Sequence, residues 1–105
     1  MNQDVLNRLA QIIRARRDAG SETSYTRQLL DGGVERCAKK FGEESVETLI
    51  AAISQDDAAL KNEAADLLYH LLVLLEARGI ALDDVLQELE KRMGESGLDE
   101  KARRG

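Results

Sequence analysis

Four acidic residues form two pairs in which the members are three residues apart. Glu44 and Glu47 make the first pair, and Glu63 and Asp66 make the second. Residues at this spacing lie on one face of an α-helix, so each pair can point two carboxylates in one direction. Like charges placed this way repel each other by about 0.2–0.5 kcal/mol. The pattern therefore indicates a binding role for these carboxylates rather than a contribution to helix stability.

The two pairs are expected to converge between neighbouring helices. A short polar segment, 54–57, separates the two predicted helices, which should therefore pack side by side in antiparallel orientation. Glu47 and Glu63 both lie about two helical turns from this segment, so the pairs reach similar heights. Asp66 also lies inside an apolar run, where a carboxylate needs a cation or hydrogen-bond donors. A four-carboxylate site is therefore predicted.

The chemistry of these ligands favours a hard divalent cation. Carboxylate oxygens suit Mg²⁺, or Mn²⁺, better than zinc or copper. Mg²⁺ keeps coordination positions for water and for substrate phosphates, so an acidic protein can bind a polyphosphate through the metal. Lys39 and Lys40 stand one turn before the first pair, and Lys40 could reach Glu44 or a phosphate. We therefore expect a magnesium-dependent site for a phosphorylated substrate.

Other interpretations of these residues remain open. Either acidic pair alone could be an ordinary solvent-exposed helix face, although the occurrence of both is harder to explain in this way. A di-iron site needs Glu-x-x-His on two helices. The single histidine, His70, follows Leu67 at that spacing, which disfavours iron. His70 is interpreted as a hydrogen-bonded core histidine, and Cys37 as a small core residue.

The composition indicates a single all-α domain spanning residues 1–105. Proline is absent and aromatic residues make up 3% of the chain, which disfavours a β-sandwich or barrel. The net charge of -5 disfavours a nucleic-acid partner. A single cysteine cannot form a disulfide within the chain. The first residues lack the apolar region of a signal peptide. The longest apolar run, 71–75, is too short to cross a membrane. A cytoplasmic protein is therefore expected.

The hydrophobic periodicity predicts four to five helices. The predicted elements are a helix over 4–18, a short turn containing Leu29 and Leu30, and helices over 34–54, 58–78 and 83–94. The segment 64–75 is apolar on nearly all sides, and a helix of that kind is buried on all sides. A chain of this length has few other helices to cover it. A helical bundle completed by homodimerisation is therefore predicted.

Several segments resemble a known group of enzymes. They are the two acidic pairs, Ser24-Tyr25-Thr26, Lys40-Phe41-Gly42-Glu43-Glu44, the segment 63–75 with its Tyr-His pair, and Ser96-Gly97-Leu98 in the tail. Together they resemble the all-α nucleoside triphosphate pyrophosphohydrolases, the MazG-like superfamily. Within it, the chain is similar to the phosphoribosyl-ATP pyrophosphohydrolase family of histidine biosynthesis.

The resemblance implies an activity and a mechanism. The reaction would be Mg²⁺-dependent hydrolysis of 1-(5-phosphoribosyl)-ATP to 1-(5-phosphoribosyl)-AMP and pyrophosphate, carried out by a homodimer. Glu44, Glu47, Glu63 and Asp66 would be the metal ligands, with Glu44 or Glu47 accepting the proton of the attacking water. Two alternatives remain, namely a housecleaning pyrophosphohydrolase acting on dUTP or damaged nucleotides, and a non-catalytic helical dimerisation module.

Recognition of the phosphoribosyl group requires further cationic or hydroxyl donors, because this group carries an additional phosphate. The candidates are Ser24, Tyr25, Thr26, Arg27, Lys39, Lys40, Arg92, Lys101, Arg103 and Arg104. Arg27 is the first choice, since a guanidinium can donate two parallel hydrogen bonds to one phosphate. An exposed turn residue without this role is the alternative for Arg27.

Overall fold

Five α-helices make up the part of the protein described by the computed structural model, residues 4–19 and 24–93. They are α1 (Val5–Ala19), α2 (Tyr25–Asp31), α3 (Gly33–Ser54), α4 (Asp57–Ala77) and α5 (Leu82–Met93). No strand occurs within these residues. The predicted all-α fold is thereby confirmed, and the predicted helix boundaries lie within a few residues of the observed ones.

Helices α3 and α4 form a long antiparallel hairpin, the main structural unit of the protein. Two residues, Gln55 and Asp56, connect them. Asp56 caps α4, because its side chain accepts a hydrogen bond of 2.9 Å from the backbone N–H of Ala59. The short connection holds the two helices side by side, as predicted from the polar segment between them.

Glycines in left-handed conformations shape two of the other helix ends. Gly33, with φ of 82°, allows the chain to turn from α2 directly into α3. Gly79, with φ of 72°, follows the end of α4. There the N–H of Ile80 donates to the carbonyl of Leu75 and the N–H of Gly79 donates to that of Glu76, the pattern of a Schellman motif.

The hydrophobic core lies where α1 and α2 pack against the hairpin. Its buried members come from four helices and are Ile13, Leu29, Cys37, Leu72 and Val73. The thiol of Cys37 donates a hydrogen bond of 3.2 Å to the carbonyl of Leu29, which joins α3 to α2. The interpretation of Cys37 as a core residue is therefore confirmed.

The other end of the hairpin, near the α3–α4 connection, exposes large apolar side chains. Those on α3 are Val46, Leu49, Ile50 and Ile53, and Leu68 of α4 is also exposed. By contrast, Leu72 and Val73 of the apolar segment 64–75 are buried within the chain, and Leu74 packs against the same core. The apolar surface that lacks cover thus lies mainly on α3, whereas the sequence pattern emphasised α4.

A buried carboxylate ties α1 to the far end of α4. Glu76 is almost fully buried and pairs with Arg14, whose Nε lies 3.4 Å from Oε1, and with Arg17 through Oε2. A buried carboxylate with two guanidinium partners is compensated in charge.

None of the described helices is long and apolar enough to cross a membrane.

Candidate metal and substrate site

Three carboxylates meet between α3 and α4, and we call them the acidic cluster. Glu44 comes from α3, and Glu63 and Asp66 come from α4. Each offers one oxygen atom, and these three atoms lie within 4.8 Å of one another. The structure therefore brings together three of the four acidic residues selected from the sequence, in a geometry that can hold a metal ion. Asp66 is exposed, although the apolar run around it suggested burial, because its side of α4 is not covered in the single chain.

Two oxygen atoms of the acidic cluster are buried without a hydrogen-bond partner. They are Oε2 of Glu44 and Oε2 of Glu63. A buried polar atom without a partner costs about 1–3 kcal/mol, and more when it belongs to a charged group. A hard cation bound among these carboxylates would supply the missing interaction, and carboxylate oxygens are its preferred ligands. The donor set and its two unpartnered atoms therefore fit a divalent metal ion.

The electrostatics of the acidic cluster also favour a cation. Burial raises the pKa of Glu44, and the neighbouring Glu47 carboxylate raises it further. The pKa of Glu63 is likewise raised, first by burial and then by Glu47. Asp66 contributes in the same direction to the pKa of both. Glu47 itself is exposed, so it lies at the solvent edge of this negative region.

A threonine fixes the two helices together at the level of the acidic cluster. The hydroxyl of Thr48 donates to the carbonyl of Glu44 at 2.8 Å and lies 3.3 Å from the carbonyl of Glu63 on the facing helix. This contact holds the backbones of two cluster residues at a fixed separation. Thr48 was not among the residues selected from the sequence, because a threonine within a helix carries no signal for such a contact.

Helix α2 is attached to α4 through the histidine one turn beyond Asp66. Nδ1 of His70 donates to the carbonyl of Asp66 at 2.7 Å, which leaves Nε2 to accept from the hydroxyl of Tyr25 at 3.1 Å. Thr26 and Tyr69 form a second hydroxyl pair between the same helices. His70 is therefore a buried, hydrogen-bonded core residue, as interpreted from the sequence.

Most of the residues predicted to bind substrate around α2 have structural contacts within the helix or the core instead of facing the cavity. The Ser24 side chain caps α2 by accepting from the N–H of Arg27 at 3.3 Å. Thr26 is buried. The guanidinium of Arg27 pairs with Asp31 one turn later, at 3.2 Å. Of the Ser-Tyr-Thr segment and Arg27, Tyr25 alone lines the cavity described next.

An open cavity of about 600 Å³ lies beside the acidic cluster. Its polar wall includes Tyr25, Arg36, Lys39 and Lys40. Lys40 connects the cavity to the cluster, because its Nζ lies 3.8 Å from a carboxylate oxygen of Glu44. The structure thus places both predicted lysines in one cavity.

Arg36 is a cavity residue that sequence reasoning missed. The available signal was its position three and four residues before the two lysines, which puts all three cations on one side of a helix. Of the other predicted cations, Arg92 bonds with Glu88 on α5, at 3.3 Å. Lys101, Arg103 and Arg104 lie outside the described residues.

Comparison with known proteins identifies the family. A family model described as phosphoribosyl-ATP pyrophosphohydrolase matches residues 6–93. The chain belongs to the phosphoribosyl-ATP pyrophosphohydrolase family. The match includes the acidic cluster and the cationic wall of the cavity, and it confirms the family resemblance seen in the sequence.

Named relatives of this family match the chain over nearly its full length. The phosphoribosyl-ATP pyrophosphatase 1 of Bradyrhizobium diazoefficiens is 60% identical, over 99% of this chain and 98% of the relative. The phosphoribosyl-ATP pyrophosphatase of Rhodobacter capsulatus is 55% identical, over 95% of this chain and 97% of the relative. That of Paracoccus denitrificans is 57% identical, over 94% of this chain and 92% of the relative.

Proposed function

We propose that the protein hydrolyses 1-(5-phosphoribosyl)-ATP to 1-(5-phosphoribosyl)-AMP and pyrophosphate, a step of histidine biosynthesis. Family membership and the names of its relatives support this substrate. The observation that carries the chemistry is the acidic cluster, with its two unpartnered carboxylate oxygens, beside a cavity whose lining includes Arg36, Lys39 and Lys40. One water molecule is consumed, and the bond broken is a phosphoric anhydride of the triphosphate.

The acidic cluster is the proposed binding site for Mg²⁺, with Mn²⁺ as a possible substitute. Glu44, Glu63 and Asp66 would hold the ion, and Glu47 would complete the site from its solvent edge. Their oxygen donors and accumulated negative charge support this assignment. When bound there, a divalent ion would neutralise charge on the triphosphate and would help to orient a water molecule for in-line attack.

Glu47 is the proposed acceptor for the proton of the attacking water, with Glu44 as the alternative. Glu47 is exposed, so a water molecule can reach its carboxylate from solvent. It also lies close enough to Glu44 and Glu63 to raise the pKa of both. Glu44, by contrast, is buried and forms part of the acidic cluster. A carboxylate at the open edge is better placed to take the proton and release it to solvent.

Lys40 is proposed to contact the triphosphate. Its Nζ lies 3.6 Å from Glu43 and 3.8 Å from Glu44, at the border between the acidic cluster and the cavity. An ammonium group in this position can exchange a carboxylate for a phosphate oxygen when the nucleotide binds.

A homodimer is the proposed assembly. The exposed face on α3 supports it, since Leu49 is 62% and Ile53 84% exposed in the single chain. We expect a dimeric mass at micromolar concentration, and Ile53→Asp should shift that mass towards the monomer because it places a charge in the interface. A wild-type monomer with full activity would contradict the dimer. A cytoplasmic location and the absence of a nucleic-acid partner remain predictions from the sequence.

The activity is tested by measuring pyrophosphate release from phosphoribosyl-ATP, dUTP and ATP, each with and without Mg²⁺. We expect the highest kcat/KM for phosphoribosyl-ATP and no turnover in the presence of a chelator. Preference for dUTP would instead assign a housecleaning role on the same scaffold. No hydrolysis of any of the three, together with no binding of Mg²⁺, would favour a helical dimerisation module.

A further inference from the structure

We propose that Arg36, assisted by Lys39, binds the phosphate of the phosphoribosyl substituent and thereby selects this nucleotide over plain ATP. The inference rests on the proposed function, because it concerns the part of that substrate which ATP lacks. It assigns the far end of the cavity to a second phosphate group. The metal-bound triphosphate would occupy the near end.

The position of Arg36 along α3 separates it from the acidic cluster. Arg36, Lys40, Glu43 and Glu47 follow each other at intervals of three or four residues, so they lie along one side of the helix. Arg36 precedes Glu44 by eight residues, which corresponds to about 12 Å along the helix axis. In the substrate, an adenosine and a second ribose separate the triphosphate from the additional phosphate. The two phosphate-binding regions should therefore be separated as well.

Arg36 and Lys39 have charges that the described protein does not neutralise. Both residues are exposed and line the cavity, and no carboxylate in 4–19 or 24–93 pairs with either. The cavity wall also contains Glu35 and Glu43, but Glu43 pairs with Lys40 at 3.6 Å. Among the described residues, the far end of the cavity therefore carries two unpaired cations and one unpaired carboxylate, in a protein whose net charge is -5. A surface region with this excess of positive charge favours the binding of an anion such as a phosphate.

Gly32 allows the Arg36 side chain to lie against the wall of the cavity. A Cβ atom on Gly32 would stand 2.3 Å from Cδ of Arg36 and 3.0 Å from its Cβ. The stem of Arg36 thus packs over a surface that any other residue would fill. With the stem held in this way, less conformational entropy is lost when the guanidinium binds a phosphate.

Arg27, the first choice from the sequence, is less suited to this role. Its guanidinium already pairs with Asp31 at 3.2 Å, and Arg27 does not line the cavity. A phosphate would have to replace that carboxylate before it could bind. Arg36 needs no such exchange.

The decisive experiment compares two quantities in wild type and in Arg36→Ala. They are kcat/KM for phosphoribosyl-ATP and the inhibition constant of ATP as a competitor of that reaction. We expect kcat/KM to fall by about 10- to 100-fold, as for the loss of hydrogen bonds to a charged group. The inhibition constant of ATP should not change, because ATP lacks the second phosphate. Arg36→Lys should fall between wild type and Arg36→Ala, since it keeps the charge without the two-pronged hydrogen bonding.

Arg8→Ala is the matched control, because it removes one exposed arginine on α1 with the same change in charge. It should leave both quantities unchanged. Thermal unfolding of each variant checks that the fold is intact, which is expected because Arg36 is exposed.

Gly32→Ala provides a second and independent variant. The backbone of Gly32 has φ of -75° and ψ of -7°, which alanine adopts without strain, so the added methyl acts mainly by displacing the Arg36 side chain. Gly32→Ala should lower kcat/KM for phosphoribosyl-ATP while Arg36 is present and have no further effect in the Arg36→Ala background.

Each outcome of these measurements decides the inference. An unchanged kcat/KM in Arg36→Ala would overturn it. An equal loss of phosphoribosyl-ATP turnover and ATP inhibition would also overturn it, since Arg36 would then contact the triphosphate or support the fold. If the wild-type protein does not hydrolyse phosphoribosyl-ATP at all, the proposed function fails, and this result is distinguishable from a failure of the Arg36 assignment alone.

Discussion

The two ends of the α3–α4 hairpin are built from the same pair of helices but differ in what covers them. At one end α1 and α2 pack over the hairpin, and Cys37, Leu72 and Val73 are 2%, 5% and 1% exposed. At the other end, near the connection, no third helix covers the described face of α3, and Ile53 is 84% exposed. We refer to these as the covered end and the open end.

The acidic cluster lies between the two ends. Glu44 is near the middle of α3, and Asp66 is near the middle of α4. From the covered end, His70 and Tyr25 fix the backbone beside Asp66. Towards the open end, Glu47 faces solvent. The covered side thus positions the ligands and carries the cavity, whereas the side towards the open end gives water access to Glu47. The predictions below test this division.

The largest effect is expected at the acidic cluster. Asp66→Asn removes one charge from the acidic cluster at constant size, and activity should fall by at least about 10²-fold because metal binding is weakened. Initial rates of pyrophosphate release, at one Mg²⁺ concentration that is just sufficient for the wild type, measure the loss. Asp84→Asn on α5, an exposed aspartate changed in the same way, should keep full activity. Full activity of Asp66→Asn would remove this residue from the metal site.

Paired truncations test the covered end against the open end. Leu29→Ala creates a cavity in the core and should lower the free energy of unfolding by about 2–5 kcal/mol. Leu49→Ala, at an exposed position, should cost less than about 0.5 kcal/mol in a monomer. If a second copy covers α3, the cost at Leu49 will depend on protein concentration. Equal, concentration-independent losses in urea unfolding would contradict the comparison.

A divalent metal ion bound at the acidic cluster should stabilise the folded protein. At about 100 times its dissociation constant, Mg²⁺ should add about 2.7 kcal/mol to the free energy of unfolding. In a domain of this size, each kcal/mol raises Tm by about 4–8 °C. Thermal unfolding with and without Mg²⁺ measures this shift. The Asp66→Asn variant should show a much smaller one, and an equal shift in both proteins would place the metal elsewhere.

The contact between α2 and α4 should contribute a smaller amount. Tyr25→Phe removes the hydroxyl that donates a hydrogen bond to Nε2 of His70. The buried histidine then lacks this partner, so the free energy of unfolding should fall by about 1–3 kcal/mol. Urea unfolding of Tyr25→Phe measures the cost. In a His70→Ala background the same change should have little further effect, because the partner is already absent. Additive losses would show that the two residues act independently.

The smallest effect is a pH dependence of stability in the metal-free protein. Folding raises the pKa of Glu44 and Glu63, so the folded state binds more protons than the unfolded state above the ordinary value of 4.5. The two carboxyl groups therefore contribute their full stabilisation of the folded state below about pH 4.5. This stabilisation is lost as the pH rises through their raised pKa values. Urea unfolding between pH 4.5 and pH 7 should show this decline in wild type relative to Glu44→Gln. A decline of the same size in Glu44→Gln would assign the dependence to other groups.

The helices and the ligand types could be predicted from the sequence because they depend on local spacing. Residues three or four apart share a helix face whatever the rest of the chain does, so the acidic pairs, the lysine pair and the core role of Cys37 followed directly. The absence of proline and the short polar segment between the helices were sufficient for the antiparallel hairpin. Carboxylate chemistry was sufficient to favour a hard cation.

The tertiary structure alone decided which of these residues meet and which face solvent. The depth at which α3 and α4 pack buries Glu44 and leaves Glu47 exposed, although both have the same residue type and lie on the same helix face. It also brings Glu44 close to Glu63 and Asp66, and it places Tyr25 within hydrogen-bond distance of His70. Such outcomes depend on contacts between residues far apart in sequence. Helical periodicity fixes a direction around one axis but not the distance to the next helix.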